Sequence, residues 1–261
     1  MDLKLKDKVV IVTGGSKGIG EGIVRSFAAE EATVVIVNRS GGEGEVLRDE
    51  INQSGGKAYF ITADLTDEAM CKKSVDETLE QFGRIDVIVN NAGVNDGASI
   101  EDGVKAFTDS LNKNLTHYYA MVHYSLEALK KTRGCIINIG SKVADTGQGG
   151  TNGYAASKGA CNALTREWAV ELAQYGIRSN AVIPAEVMTP LYERWVQTLP
   201  NPEETLKKIC DSIPFEHRMT SKEELADMVV FLASPKSSHT TGQIVYVDGG
   251  YTHLDRKCTL T

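Results

Sequence analysis

Val9-Val10-Ile11-Val12-Thr13-Gly14-Gly15-Ser16-Lys17-Gly18-Ile19-Gly20 is the stretch on which the fold turns. Residues 9–13 are all β-branched and uncharged, the pattern of a strand buried on both faces. The glycines behind them allow a tight turn into a helix that starts at 18. They also let a backbone come close to a pyrophosphate, which would then rest against the positive end of that helix. The spacing is G-x-x-x-G-x-G rather than the commoner G-x-G-x-x-G.

Outward from this turn the chain repeats one unit. Apolar runs at 33–38, 58–63, 86–90, 135–139, 179–183 and 243–247 follow the first strand at 9–13. Segments of helical period, such as 18–30, 67–82, 153–174 and 221–234, lie between them. Strand, helix, strand in this order predicts an α/β, doubly wound fold on a parallel seven-stranded sheet. No low-complexity linker breaks the pattern, so residues 1–261 read as a single domain. The connection at about 185–220 is unusually long. It holds Tyr192, Trp195, His217 and the prolines Pro190, Pro200, Pro202 and Pro214, and it reads as a lid or binding loop.

Composition narrows the function. With 41% hydrophobic and 24% charged residues, the chain can bury a sizeable core. A net charge of −7 argues against a general nucleic-acid binder, which needs clustered cations to neutralise phosphates. Cys71, Cys135, Cys161, Cys210 and Cys258 are scattered and never in C-x-x-C spacing, so neither a metal site nor a disulfide framework is expected. The N-terminal residues run straight into a strand with no room for a signal peptide, and no apolar stretch reaches the roughly 18 residues of a membrane span. The expectation is a cytoplasmic protein with reduced thiols and no membrane partner.

Tyr154 and Lys158 stand four residues apart in Gly153-Tyr154-Ala155-Ala156-Ser157-Lys158. In a helix they share one face, one turn apart. An ammonium beside a phenol favours the phenolate, and a phenol tuned in this way can hand a proton to a carbonyl or take one from an alcohol. Ser141, just behind the run at 135–139, lies at the carboxyl end of the sheet, where open α/β sheets place ligands. Its hydroxyl can hold a substrate oxygen there. None of the five histidines falls in a nucleophile-elbow arrangement, so a hydrolase is not indicated.

The glycine turn at 13–20, Asn90-Asn91-Ala92-Gly93, Asn114, Ser141 and the Tyr154/Lys158 pair occur together, spread over nearly the whole chain. In order and spacing this set resembles the short-chain dehydrogenase/reductase family. The resemblance implies a Rossmann-type fold, a nicotinamide cofactor and a proton relay through Asn114, Ser141, Tyr154 and Lys158. It implies cofactor contacts from Gly14, Ser16, Lys17, Gly18, Ile19 and Gly20 in the turn, and from Asn38, Arg39 and Ser40 after the second strand. Asp64 and Leu65 would follow from the third strand, Asn91, Ala92 and Gly93 from the fourth, and Pro184, Val187 and Thr189 from the sixth, with Tyr154 and Lys158 completing the set. For Asp64 the alternative is a cap on the helix beginning near 67. The implied assembly is a homotetramer or homodimer through helices at about 101–131 and 152–174.

The end of the second strand bears on the nucleotide. Asn38 stands where an acidic residue would repel a 2′-phosphate, Arg39 follows it, and Lys17 lies in the glycine turn. Two cations there favour NADP(H), while Asn38 can still serve a free ribose and leaves NAD(H) open.

One departure from the family concerns the sixth strand. Where Pro-Gly is general, this chain reads Pro184-Ala185-Glu186-Val187-Met188-Thr189. Ala185 demands ordinary backbone angles. Glu186 either accepts from substrate hydroxyls or forms a salt bridge at the cleft rim. Asn95, Gln148, Asn152, Tyr192, Trp195, His217, Arg218 and His253 crowd the same expected cleft. With Ser141, Tyr154 and Glu186 they suit a small polar substrate better than a steroid or acyl chain. The run after Pro184 and the tail at 253–256 are similar to the family's sugar dehydrogenases, those of the L-fucose dehydrogenase type in particular. That implies carbohydrate metabolism, with a sugar lactol oxidised to a lactone. The nearest alternative is NADPH-dependent reduction of an aldehyde or ketone sugar acid of deoxy-hexulosonate type from uronate breakdown. A silent dinucleotide-binding sensor or scaffold is a further alternative, against which the intact Ser141, Tyr154 and Lys158 speak.

Overall fold

The β-branched run at the N-terminus forms an interior strand of a seven-stranded, fully parallel sheet, paired with a neighbour on each side. The computed structural model describes residues 1–255. In chain order the elements are β1 (Val9–Thr13), α1 (Gly18–Ala29), β2 (Thr33–Asn38), α2 (Glu43–Gln53), β3 (Lys57–Thr62), α3 (Glu68–Phe82), β4 (Val87–Asn90) and α4 (Gly103–Leu111). There follow α5 (His117–Thr132), β5 (Cys135–Ile139), α6 (Asn152–Glu171), β6 (Arg178–Pro184), α7 (Pro190–Gln197), α8 (Pro202–Asp211), α9 (Lys222–Ala233) and β7 (Ile244–Val247). The strand order is β3-β2-β1-β4-β5-β6-β7. It reverses between β1 and β4, so a crevice opens above their carboxyl ends, which is where doubly wound sheets bind ligands.

Alternate residues of each strand feed two separate cores. Val10, Val12, Val34, Ile36, Val89 and Ile137 pack with Ile23, Val24 and Phe27 of α1 and Leu225, Val229 and Val230 of α9. Val9, Ile11, Val35, Val37, Ile88 and Ile136 pack on the other face with Val75 of α3, Tyr118, Met121 and Leu129 of α5 and Trp168 of α6. A sheet covered on both faces is the reason its strands read as unbroken apolar runs rather than alternating ones.

The strand ends differ from the expected bounds for local reasons. Asp86 falls outside β4 because its carboxylate accepts from the Val9 amide at 3.0 Å and binds Arg84 at 2.7 Å. β3 starts at Lys57, which pairs with Thr33. β6 is longer than expected because it is paired on both sides, Arg178 with Cys135 and Pro184 with Val247. Gln243 stays outside β7, its amide taken by the Asn180 side chain at 3.0 Å.

The connection at 185–220 is about half helical, carrying α7 and α8. Thr189 caps α7 by accepting from the Tyr192 amide at 3.2 Å, and Pro190 and Pro202 occupy the first positions of α7 and α8. Proline is suited to a helix start because the amide it lacks would have no partner there. The cap considered as the alternative role of Asp64 is supplied by Asp67, whose side chain accepts from the Ala69 amide at 2.9 Å. Cys71, Cys135 and Cys161 are buried free thiols and Cys210 is half-buried. Cys258 and Arg256 lie outside the described residues. Among the described residues no helix is long and apolar enough to cross a membrane.

Candidate active site

The carboxyl ends of β1 and β4 are laced together by side chains. Thr13 Oγ1 accepts from the amides of Asn91 (2.9 Å) and Ala92 (3.1 Å), and Asn91 Nδ2 donates to the carbonyls of Thr13 and Gly14. The glycine turn is thereby pressed close to its neighbours. Gly14 has φ +63°, and a Cβ on it would stand 2.9 Å from the Ala92 Cα. A Cβ on Gly20 would meet the Gly14 carbonyl at 2.2 Å. Neither position tolerates a side chain, so the turn stays a bare backbone cradle at the start of α1, with Ile19 half-buried behind it. Such a cradle fits the pyrophosphate of a dinucleotide.

The other expected cofactor contacts gather around it. Ser16 is buried and its Oγ accepts from Asn38 Nδ2 at 2.7 Å, which ties the end of β2 to the turn. Arg39 and Ser40 are exposed just beyond. Lys17, expected to face a 2′-phosphate, is bound to Glu43 at 3.0 Å, so its charge is shared. Asp64 accepts from both the amide and the hydroxyl of Thr66, which together outweigh burial and hold its carboxyl below the usual range. Leu65 is buried against α3. From beyond β6, where Pro184 is the last residue, Val187 bridges to Thr220, and Thr189 reaches Gly18, its Cγ2 standing 3.1 Å from where a Cβ would lie.

Deeper in the crevice Asn114, Lys158 and Tyr154 lie close together, and Ser141 stands in the turn behind β5 that α6 packs against. Asn114 sits in a single π-helical turn, Asn112–Thr116, between α4 and α5. Such turns are rare and concentrate at functional sites. Its Oδ1 accepts from the Val94 amide at 2.7 Å and its Nδ2 donates to the Ser110 carbonyl at 3.0 Å, fixing the loop behind β4 against the helix. A Cβ on Gly93 would stand 3.0 Å from Asn114 Oδ1 and 3.8 Å from Lys158 Nζ. Lys158 is buried, and its ammonium lies 5.5 Å from the centroid of the Tyr154 ring on the same face of α6. It donates to the Ile139 carbonyl at 2.8 Å and to the Tyr118 hydroxyl at 3.1 Å. Burial opposes its charge, but the tyrosine oxygens around it outweigh burial and keep it protonated. Ser141 caps the short turn Lys142–Ala144 behind β5, and α6 packs against that turn.

Sequence reasoning missed Tyr118, Lys142 and Tyr251. Tyr118 is fully buried and its hydroxyl donates to the Ile139 carbonyl at 3.2 Å, while burial pushes its pKa up to about 12. The signal available for it was its helical spacing of four from Asn114. Lys142 forms an ion pair with Glu186 and lies 4.0 Å from the centroid of the Tyr251 ring. The salt bridge considered for Glu186 is therefore present, and Ala185 takes ordinary backbone angles.

The other expected substrate residues are less uniformly placed. Tyr192 packs edge-on against Trp195 at 5.0 Å, and burial, with the Glu186 charge, pushes its pKa up. Asn95, Gln148 and Asn152 are exposed, the Asn152 amide donating to the Ala98 carbonyl at 2.8 Å. His253 packs against Tyr246, whose hydroxyl donates to Asp145 at 2.6 Å. Arg218 and His217 are not drawn into this group: both are exposed, and Arg218 is bound to Glu216 and Glu224 at the head of α9.

A parallel switch-point sheet, a bare glycine cradle and a helix face that pairs half-buried Tyr154 with buried Lys158 define the dinucleotide-dependent oxidoreductase class. Comparison with known proteins agrees. The family model described as enoyl-(acyl carrier protein) reductase matches residues 14–252. The chain belongs to the short-chain dehydrogenase/reductase family and is an NAD(P)-dependent oxidoreductase. It is 37% identical to the L-fucose dehydrogenase of Bos taurus over 252 residues, covering 96% of this chain and 91% of that one. The crystal structure of Cj0485 dehydrogenase is similar with a TM-score of 0.93 and 46% identity, covering 98% of each chain. That of the aldohexose dehydrogenase of Thermoplasma acidophilum gives 0.87 and 32%, covering 97% of this chain and 96% of that one.

Proposed function

We propose that the chain interconverts a hydroxyl and a carbonyl on a polar sugar or sugar-derived substrate, in the manner of its sugar dehydrogenase relatives. The observation that carries the reading is the Lys158 ammonium, buried, kept charged and lying 5.5 Å from the Tyr154 ring on one helix face. A nicotinamide nucleotide, when bound, supplies the acceptor or donor of hydride. Gly14, Ser16, Gly18 and Gly20 would hold its pyrophosphate, Asn38 and Arg39 its adenosine ribose, and Asp64 its adenine. Tyr154 takes the hydroxyl proton of an alcohol, or returns it to a carbonyl oxygen. Lys158 holds positive charge behind that phenol, and Ser141 orients the substrate oxygen. Asn114 keeps the segment at 91–94 seated beside Lys158. The segment at 185–220, carrying Tyr192 and Trp195, covers the substrate.

For the nucleotide we favour NADP(H), with NAD(H) also accepted. Arg39 is exposed beside the end of β2 and is free of the Glu43 contact that Lys17 makes. The test is absorbance at the reduced-nicotinamide band with neutral aldoses, their uronic acids and non-hydroxylated ketones, each with NAD and NADP. Turnover of aldoses is expected. Turnover of none of the hydroxylated substrates with either nucleotide would overturn the proposal.

A further inference from the structure

Beside Ser141 the cleft carries a charge pair that proton transfer at Tyr154 does not require. The Lys142 and Glu186 side chains are only 14% and 11% exposed. Three successive loops at the carboxyl edge of the sheet bring their group together. Lys142 follows β5 directly behind Ser141, with its carbonyl accepting from Thr146 Oγ1 at 3.1 Å. Glu186 follows β6, its backbone carbonyl accepting from the Thr220 amide at 3.1 Å. Tyr251 follows β7, in a turn fixed by the Asp248 carboxylate, which accepts from the amides of Gly250 (2.9 Å) and Thr252 (2.8 Å). Tyr192 of α7 completes the group, its hydroxyl turned to the Glu186 carboxylate.

Stability alone does not account for such a pair. Taking both charges out of water costs about as much as their attraction returns, and apolar residues of similar volume commonly serve as well. Lys142 also directly follows Ser141 in the same short turn, so the pair adjoins the residue proposed to orient the substrate oxygen.

We propose that Lys142 and Glu186, with Tyr192 and Tyr251, form a subsite that reads hydroxyl groups and selects a neutral polyhydroxylated substrate over its carboxylate analogue. The inference rests on the oxidoreductase function proposed for the adjoining Ser141–Tyr154 site. A carboxylate accepts from one hydroxyl of a sugar ring while the ammonium donates to its neighbour, so vicinal hydroxyls satisfy both partners. The aromatic rings of Tyr251 and Tyr192 offer flat apolar faces to the C–H side of such a ring. A carboxylate substrate gains nothing equivalent. It meets the Glu186 charge and finds Lys142 already neutralised, and like charges placed together disfavour the wrong partner. Lys158 is committed to the Ile139 carbonyl and the Tyr118 hydroxyl, and Arg218, outside the group, to Glu216 and Glu224.

The experiment compares kcat/KM for a neutral hexose that the enzyme turns over with that for the hexuronate of the same ring configuration. Wild type, Glu186→Gln and Lys142→Gln are assayed with the preferred nucleotide, and folding is checked by thermal melting. Wild type is expected to favour the hexose by at least about 100-fold. Glu186→Gln leaves Lys142 without a counter-charge and is expected to narrow that ratio at least about tenfold, chiefly through a lower KM for the uronate. Lys142→Gln leaves Glu186 unpaired and should widen it. The two variants move the ratio in opposite directions, so if one fails to fold the other still decides. A wild-type preference for the uronate, or a ratio unmoved in whichever variant folds, overturns the inference and leaves the proposed function standing. Turnover confined to non-hydroxylated ketones overturns both.

Discussion

Replacing Tyr118 by Phe removes one oxygen from the back of the candidate active site. That oxygen accepts from Lys158 Nζ at 3.1 Å and donates to the Ile139 carbonyl at 3.2 Å. Phe keeps the ring in the core between α5 and the sheet, so no sizeable cavity opens. Lys158 retains the Ile139 carbonyl at 2.8 Å but loses its other acceptor in a place water does not reach. A hydrogen bond to a charged group contributes about 1.5–3 kcal/mol, and a domain of this size shifts in Tm by about 2–4 °C per kcal/mol. The expected fall in Tm is therefore roughly 3–12 °C. Tyr119→Phe is the control, since Tyr119 is 56% exposed. With Lys158 less firmly held, kcat at saturating nucleotide should also drop about tenfold, the equivalent of 1.4 kcal/mol of lost positioning. Thermal melts and initial rates on the three proteins suffice. A Tyr118→Phe enzyme melting within about 1 °C of wild type, with unchanged kcat, would refute the claim that this hydroxyl holds the ammonium.

Arg39→Asp should lower kcat/KM for NADP(H) at least about tenfold relative to NAD(H), because it replaces a phosphate-binding cation by a repelling carboxylate; steady-state kinetics with both nucleotides will show it. His117 is buried, and burial first, with the Lys158 charge, pushes its pKa down from 6.5 to about 4 despite the Lys113 carbonyl at 3.0 Å. The unfolded chain then binds more protons than the folded one between those two values, so His117 contributes stability above pH 6.5 that is lost as pH falls toward 4. From pH 7.5 to 4.5 this loss amounts to about 2.5 kcal/mol, and denaturant melts of His117→Phe should show a pH dependence smaller by that amount.

The parts of the fold legible in the sequence are those buried on both sides. β1, β2 and β5 fall on their expected bounds because unbroken Val/Ile runs leave little choice of register or face. Strand ends were less legible where a side chain far along the chain intervenes, as Asp86 does with Val9 and Asn180 with Gln243. The length of 185–220 and its lack of a strand read as a lid or binding loop, while Thr189-Pro190 and Asn201-Pro202, which stand at helix starts, carried a helix signal that went unused.

In the candidate site, Tyr154 and Lys158 were legible because a helix makes neighbours of residues four apart. The Lys142–Glu186 pair was not, since its members are 44 residues apart and only the adjacency of β5 and β6 joins them. The same holds for Lys17 and Glu43, whose contact changes the charge expected beside the glycine turn.

Tyr154→Phe tests the centre of this account. It removes only the hydroxyl, and nucleotide affinity, followed by fluorescence titration, should stay near that of wild type. Turnover of the best sugar substrate, measured with the nucleotide saturating, should fall at least about 10²-fold, the scale of a positioned acid or base. A rate close to that of wild type would contradict it.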